Sequence, residues 1–289
     1  MNDQATGLRA MMERRESSPD IVSSQHTTQT IAITSGKGGV GKSNIALNLA
    51  IALAKQDASV CVLDANLGLG NIDLLCGLSA YWNLSHVVTG ARSLSEILFE
   101  GPGNIHVVPG ASGLKDLADC PQAARNEIFE QMEDLERNHD FLIIDTGSGI
   151  HQSVRQFALA SDRILIVTTP EPTAIADAYA LIKSLSATNA TQIHVLVNQA
   201  ETPQQARSIL ARLQQTSRMF LKTEVVAAGY IPRDECVPAA VLQRSPFLLE
   251  SPQSAASKQI ELLAANMKGT ADTEEPEASF FSRVWRRLG

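Results

Sequence analysis

The stretch TIAITSGKGGVGKSN, residues 30–44, limits the possible folds more than any other part of the chain. A short β-branched strand runs directly into a loop with four glycines in six residues, and a run of good helix formers follows. Residues 36–43 fill the pattern G-x-x-x-x-G-K-[ST], a phosphate-binding loop between a strand and a helix. Gly36, Gly38, Gly39 and Gly41 let backbone N–H groups crowd around phosphate oxygens, with Lys37 and Val40 between them. The following helix adds the positive field of its N-terminus, starting at Lys42, Ser43 and Asn44. In this pattern Lys42 reaches the terminal phosphates and the Ser43 hydroxyl ligates Mg²⁺. The pattern does not need the second lysine, Lys37.

The rest of the chain agrees with such a beginning. "ASVCVLD", "IHVVPG", "DFLIIDT", "DRILIVTTP" and "IHVLVNQ" are short, apolar and β-branched, as strands buried on both faces should be. Helical patterns lie between most of them, including "SNIALNLAIALAKQ", "AARNEIFEQMEDLERN" and "TAIADAYALIKSLS"; "VVAAGYIP" and "SAASKQIELLAANM" add a last strand and a last helix. This order predicts an α/β fold: three layers, doubly wound, a mostly parallel sheet with helices on both faces. With 44% hydrophobic residues in 289, core material is ample. The net charge of −7 argues against nucleic-acid binding by the chain as a whole. Cys61, Cys76, Cys120 and Cys236 have no metal-ligand spacing and read as small buried hydrophobes in a reducing compartment. No N-terminal apolar signal or membrane-length apolar run is present, so the expected location is cytoplasmic.

Five segments are expected: a helix over 1–15 with Ala5, Leu8, Met11 and Met12 at helical spacing; a polar linker over 16–29; the nucleotide-binding domain over 30–268; an acidic linker over 269–279; and a short helix over 280–289. On a helical wheel Phe280, Phe281, Val284, Trp285 and Leu288 fall within about 140° of one another, with Arg283, Arg286 and Arg287 opposite. A basic amphipathic helix of this kind reads as a membrane-surface element. The competing reading is a helix packed on its own domain or on a protein partner.

G-K-G-G-V-G-K-S resembles the deviant Walker A loop of MinD/ParA-type ATPases, members of the SIMIBI class of P-loop NTPases. The resemblance implies that ATP and Mg²⁺ are bound and hydrolysed. It also implies that Lys37 crosses a homodimer interface to the nucleotide of the other subunit, as an arginine finger does. The bland alternative is a solvated loop lysine. "VLDANLGLGNID" stands where this class has a D-x-D switch, and "FLIIDTGSGI" places Asp145 to hold Mg²⁺ through water beside Ser43. Asn198 in "LVNQ" corresponds to an adenine contact, and Pro232 and Asp234 in "GYIPRD" to the loop over the base.

Within the class, "TPEPTAIADAYALIK", "NLGLGNIDLLCGL" and Asn44 are similar to the FlhG/FleN (YlxH) regulators of flagellar number and placement. "DQATGLR" matches that family's D-Q-A-x-x-L-R activator motif. Asp3, Gln4, Ala5, Leu8 and Arg9 are thereby implied to stimulate an SRP-type GTPase partner, FlhF. The tail is implied to be a targeting helix, masked in the monomer and freed in the ATP dimer. This gives reversible association with the inner face of the membrane, with C-ring or transcriptional regulator proteins as further partners. One departure stands out: the switch reads Asp64-Ala65-Asn66, not D-x-D. Asn can hold a water but cannot take its proton. With Lys37, Asp64 and Asn66 as the catalytic candidates, slow turnover is expected. Three other readings stay open: a ParA-like DNA-partitioning ATPase, a septum-placing MinD, and an adaptor that binds nucleotide without hydrolysing it.

Overall fold

A computed structural model of the chain describes residues 28–66, 70–110, 122–186, 191–269 and 278–288. The expected N-terminal helix with Asp3, Gln4, Ala5, Leu8 and Arg9 lies outside them, as do Cys120, most of both linkers and the Leu288 side chain.

Among the described residues eight strands form one sheet, in the order β3-β4-β2-β5-β1-β6-β7-β8. They are β1 (Gln29–Ser35), β2 (Val60–Ala65), β3 (Phe99–Glu100), β4 (His106–Val108), β5 (Phe141–Ser148), β6 (Arg163–Thr168), β7 (Gln192–Ala200) and β8 (Val225–Pro232). All neighbouring strands are parallel except the short edge pair β3–β4.

The strands divide their side chains between two cores because successive residues point to opposite faces. Ile31, Ile33, Val60, Val62, Ile143 and Leu165 face α1 (Lys42–Ala54) and, later in the chain, a helix over Ala255–Gly269. Ala32, Cys61, Leu63, Leu142, Ile144 and Ile164 belong to the opposite core. Short helices follow β2: α2 (Ile72–Leu75), α3 (Leu84–Val88) and α4 (Leu94–Ile97). The opposite core is covered by α5 (Gln122–Arg137), α6 (Gln152–Ala160), α7 (Pro172–Leu185) and α8 (Pro203–Thr216). After β8 come α9 (Cys236–Leu242), α10 (Phe247–Glu250), α11 (Ala255–Gly269) and α12 (Phe280–Leu288). No described helix is long and apolar enough to cross a membrane.

Helix α1 is apolar almost all round, and ten of its residues are buried between sheet and α11, as such a helix requires. Asn48, a polar side chain buried in its middle, makes two hydrogen bonds. The amide donates to Asn44 O at 2.8 Å and accepts from Leu248 N at 2.9 Å, tying α1 to α10.

Several sequence expectations need correction. Residues 28 and 29, expected in the linker, belong to the domain. Thr28 is buried with its hydroxyl donating to Glu136 O at 2.6 Å, and β1 begins at Gln29. At the other end α11 runs on to Gly269. Cys61 is buried, but Cys76 and Cys236 are only half-buried. In this form the tail helix α12 is packed on its own domain, one of the two readings that the sequence left open. Phe280, Phe281 and Val284 are 0%, 2% and 3% exposed, and Trp285 packs edge-on against Phe129. Four carboxylate contacts seat it. Glu136 accepts from Phe280 N at 2.8 Å, Glu133 from the Ser279 and Ser282 hydroxyls at 2.6 and 2.8 Å, and Asp162 from Arg283 at 2.6 Å. In this form three of the residues expected to meet a membrane, Phe280, Phe281 and Val284, are inside the core.

Candidate nucleotide site

β1 is central, and the chain leaves it toward β2 on one side and reaches β6 on the other. The carboxyl end of such a strand is a switch point, where doubly wound sheets hold ligands. The glycine-rich loop sits there. Gly36 passes α7 so closely that a Cβ would lie 2.3 Å from the backbone carbonyl of Asp177. Gly41 precedes α1 with φ 89°, and a Cβ on it would lie 2.4 Å from Asn198 Nδ2. Side chains are therefore excluded by space at both ends of the loop and by backbone conformation at Gly41.

Two cavities adjoin the loop. The one at the phosphate end, about 560 Å³, is lined by Gly38, Lys42, Ser43, Asn66 and Ser148. The other, about 580 Å³, is mainly apolar and runs past Ile45, Asn198, Ile231, Pro232 and Phe247. Asn44, Gly39 and Gly41 line both, so the pair forms one trough with a polar and an apolar end. This shape suits a nucleotide, with phosphates on the loop and base in the apolar part.

At the polar end Lys42 Nζ lies 3.2 Å from Asp145 Oδ1. Asp145 is fully buried, and burial pushes its pKa up against the opposing pull of Lys42 and the Ser43 hydroxyl. Its Oδ2 is buried with no hydrogen-bond partner among the described residues. A buried carboxylate oxygen without a partner, beside a serine hydroxyl, fits a hydrated divalent cation.

Asp64 lies directly across the sheet from Asp145. Burial first, and the Asp145 charge second, raise its pKa to about 6, despite backbone N–H groups that favour the carboxylate. Asp64 accepts from Asn66 N and Ile72 N, both at 3.2 Å, so it clamps the switch segment and opens α2. The Asn66 side chain lines the phosphate cavity.

Three other predicted site residues have structural work in this form. Lys37 is ion-paired with Glu171 and bonded to Thr173 Oγ1 at 3.1 Å, at the start of α7. Asn198 donates to Val40 O at 2.8 Å and accepts from Gln199 N at 2.9 Å, bracing the loop. Asp234 lines the apolar cavity but caps backbone N–H groups of Cys236 and Ala256, at 3.1 and 3.2 Å. Sequence reasoning missed Arg244, a cation lining the phosphate cavity, and Glu171. Arg244 lies about 200 residues along the chain from the loop, in a turn where it takes the left-handed conformation with φ 53°, and no local sequence motif marks it.

Residues 28–198 match the family model described as an AAA domain. The chain is 40% identical over 242 residues to the antiactivator FleN of Pseudomonas aeruginosa, covering 83% of this chain and 86% of that one. It is 33% identical over 296 residues to the flagellum site-determining protein YlxH of Helicobacter pylori, covering 100% of both. The chain belongs to the FleN/FlhG (YlxH) family of MinD/ParA-type ATPases. Its fold superimposes on the septum site-determining protein MinD of Pyrococcus horikoshii, solved with Mg-ADP, with a TM-score of 0.67 at 21% identity, covering 87% and 100% of the two chains.

Proposed function

We propose that this member of the FleN/FlhG family is an ATP-gated dimeric switch that sets flagellar number or placement. ATP would bind in the trough with Lys42 on its terminal phosphates and its base against Ile231 and Pro232. Mg²⁺ would be held by Ser43 and, through water, by Asp145, and would neutralise charge on the phosphates. The observation that carries the reading is the direction of Lys37. It points out of its own loop to the exposed Glu171, although Lys42 beside it turns inward to Asp145. A lysine on the outside of a phosphate site is positioned to serve the nucleotide of a second copy.

In this reading turnover is slow, because Asn66 holds a water without taking its proton and Asp64 is occupied with backbone N–H groups. The N-terminal segment bearing Asp3, Gln4, Ala5, Leu8 and Arg9 stimulates the partner GTPase FlhF. The tail helix α12 leaves its seat when the dimer forms and attaches the protein to the inner face of the membrane.

The test is ATP-dependent dimerisation by analytical ultracentrifugation. Lys37→Ala should bind ATP but stay monomeric, whereas Lys42→Ala should lose affinity for ATP itself. Equal dimerisation of Lys37→Ala and wild type would overturn the trans role.

A further inference from the structure

Helix α8 ends in a wide turn, Ser217–Leu221, before β8. This turn presents Met219 and Phe220 to solvent, 56% and 72% exposed. It is not a loose loop. Ser217 is fully buried, Leu221 packs against the core, and Thr223 N donates to Ser217 O at 3.4 Å. Lys222 closes it in the left-handed region with φ 55°. Two large apolar side chains are therefore held outward by an anchored frame.

Their surroundings are basic. Between Glu201 and Glu224 the chain has Arg207, Arg212, Arg218 and Lys222 and no acidic residue, in a protein whose net charge is −7. All four cations are exposed. Arg218 reaches Glu224 at 3.6 Å in a solvent-exposed pair that screening leaves weak.

The location adds a second argument. The turn feeds the amino-terminal end of β8, where Val225 pairs with Ile193 of β7, and Val226 beside it is 44% exposed. That is the end of the sheet opposite the nucleotide. Helix α11 finishes there too, since Met267 O accepts from Arg163 at the start of β6. Helix α12 starts there, with Arg283 on Asp162. β8 and β6 are two strand spacings apart, on the order of 10 Å. The turn and the root of the basic amphipathic tail thus share one end of the molecule.

We infer that the Arg218–Lys222 turn is a second membrane contact, which inserts Met219 and Phe220 into an anionic bilayer while its cations meet the headgroups. An apolar tip flanked by cations suits such a surface, and two weak attachments on one body bind far better than either alone. The inference rests on the membrane reading above, and its test separates the two.

Full-length protein with ATP is sedimented with phosphatidylglycerol-containing vesicles and with neutral phosphatidylcholine vesicles. Met219→Ser/Phe220→Ser, altered only at exposed positions, should keep ATP-driven dimerisation but lose vesicle partitioning by roughly tenfold. Phe220→Trp should gain fluorescence quenching by brominated lipids beyond that of the two native tryptophans. Arg286→Glu/Arg287→Glu tests the tail separately. If that variant loses sedimentation while the serine variant matches wild type, the turn does not touch lipid although the membrane reading stands. If wild type sediments with neither vesicle, both readings fall. A serine variant with altered self-association, and a Phe220→Trp without added quenching, would make this face a contact between copies and overturn the inference.

Discussion

Lys37 of the phosphate loop is bonded to Glu171 and Thr173 at the start of α7, so its ammonium group is held by an anion of its own chain. A second subunit's phosphate has to compete with that carboxylate. Glu171→Gln removes the competitor's charge and leaves the loop intact. Because both partners are exposed, the pair is worth about 0.2–1 kcal/mol. The ATP concentration for half-maximal dimerisation should accordingly fall by about 1.4- to 5-fold. An unchanged midpoint in a titration followed by light scattering would dismiss Glu171 as a restraint.

Asn48 offers a stability test away from the phosphates. Its amide accepts from Leu248 N of α10 and donates to Asn44 O within α1, inside a largely apolar helix. Asn48→Leu is close in size but leaves Leu248 N without its acceptor. An unsatisfied buried N–H costs about 1–3 kcal/mol. Urea unfolding should therefore show a loss in that range, with nucleotide affinity falling because α1 carries Lys42 and Ser43.

The pH dependence of stability should carry the mark of Asp64. Its pKa rises to about 6 in the folded protein, above the value of about 3.9 in an unfolded chain. The protonated form is thus favoured by folding. Its contribution is fully present below about pH 4 and is lost as pH rises through 6. Asp64→Asn removes this loss. The variant should gain on wild type between pH 4 and pH 7.5 by up to about 2–3 kcal/mol. A constant difference across that range would mean that Asp64 is not held protonated by its surroundings.

How far the sequence can be read follows from where its signals lie. The loop from Gly36 to Ser43 and the strand ending in Asp145 were legible because each is a local pattern with its own physical cause. Helices α6 and α8 were legible too, with Val154, Phe157 and Ala158 in one and Ala206, Ile209, Leu210 and Leu213 in the other at helical spacing, although neither is among the helical patterns quoted above. The amphipathic pattern of α12 was plain, but a wheel does not say what covers its apolar face. The answer depends on the core of its own domain, including Phe129 against Trp285, and on Glu133, Glu136 and Asp162 holding its polar groups, all far away in sequence. Glu171 and Arg244 were hidden for the same reason: the contacts that matter are made in space.

The last prediction concerns Asn66. Asp64, Lys42, Ser43 and Asp145 already meet in one place, so phosphate and Mg²⁺ binding do not need a carboxylate at position 66. What Asn66 lacks is the capacity to accept a proton, because an amide stays neutral and donates as readily as it accepts. Asp64 does not supply that function while its oxygens receive the N–H groups of Asn66 and Ile72. Proton-accepting or water-orienting groups typically contribute about 10²–10⁴-fold to rate. Phosphoryl transfer relies mostly on positioning and charge, which moves the expectation to the low end. Asn66→Asp should therefore raise single-turnover ATP hydrolysis by at least about tenfold and shorten the life of the ATP dimer in step. The new carboxylate also adds a third negative charge near Asp64 and Asp145, so ATP affinity has to be measured beside the rate. If ATP binds and dimers form but the rate does not change, Asn66 is not at the attacking water, and Asp64 becomes the residue to test, by Asp64→Asn in the same assay.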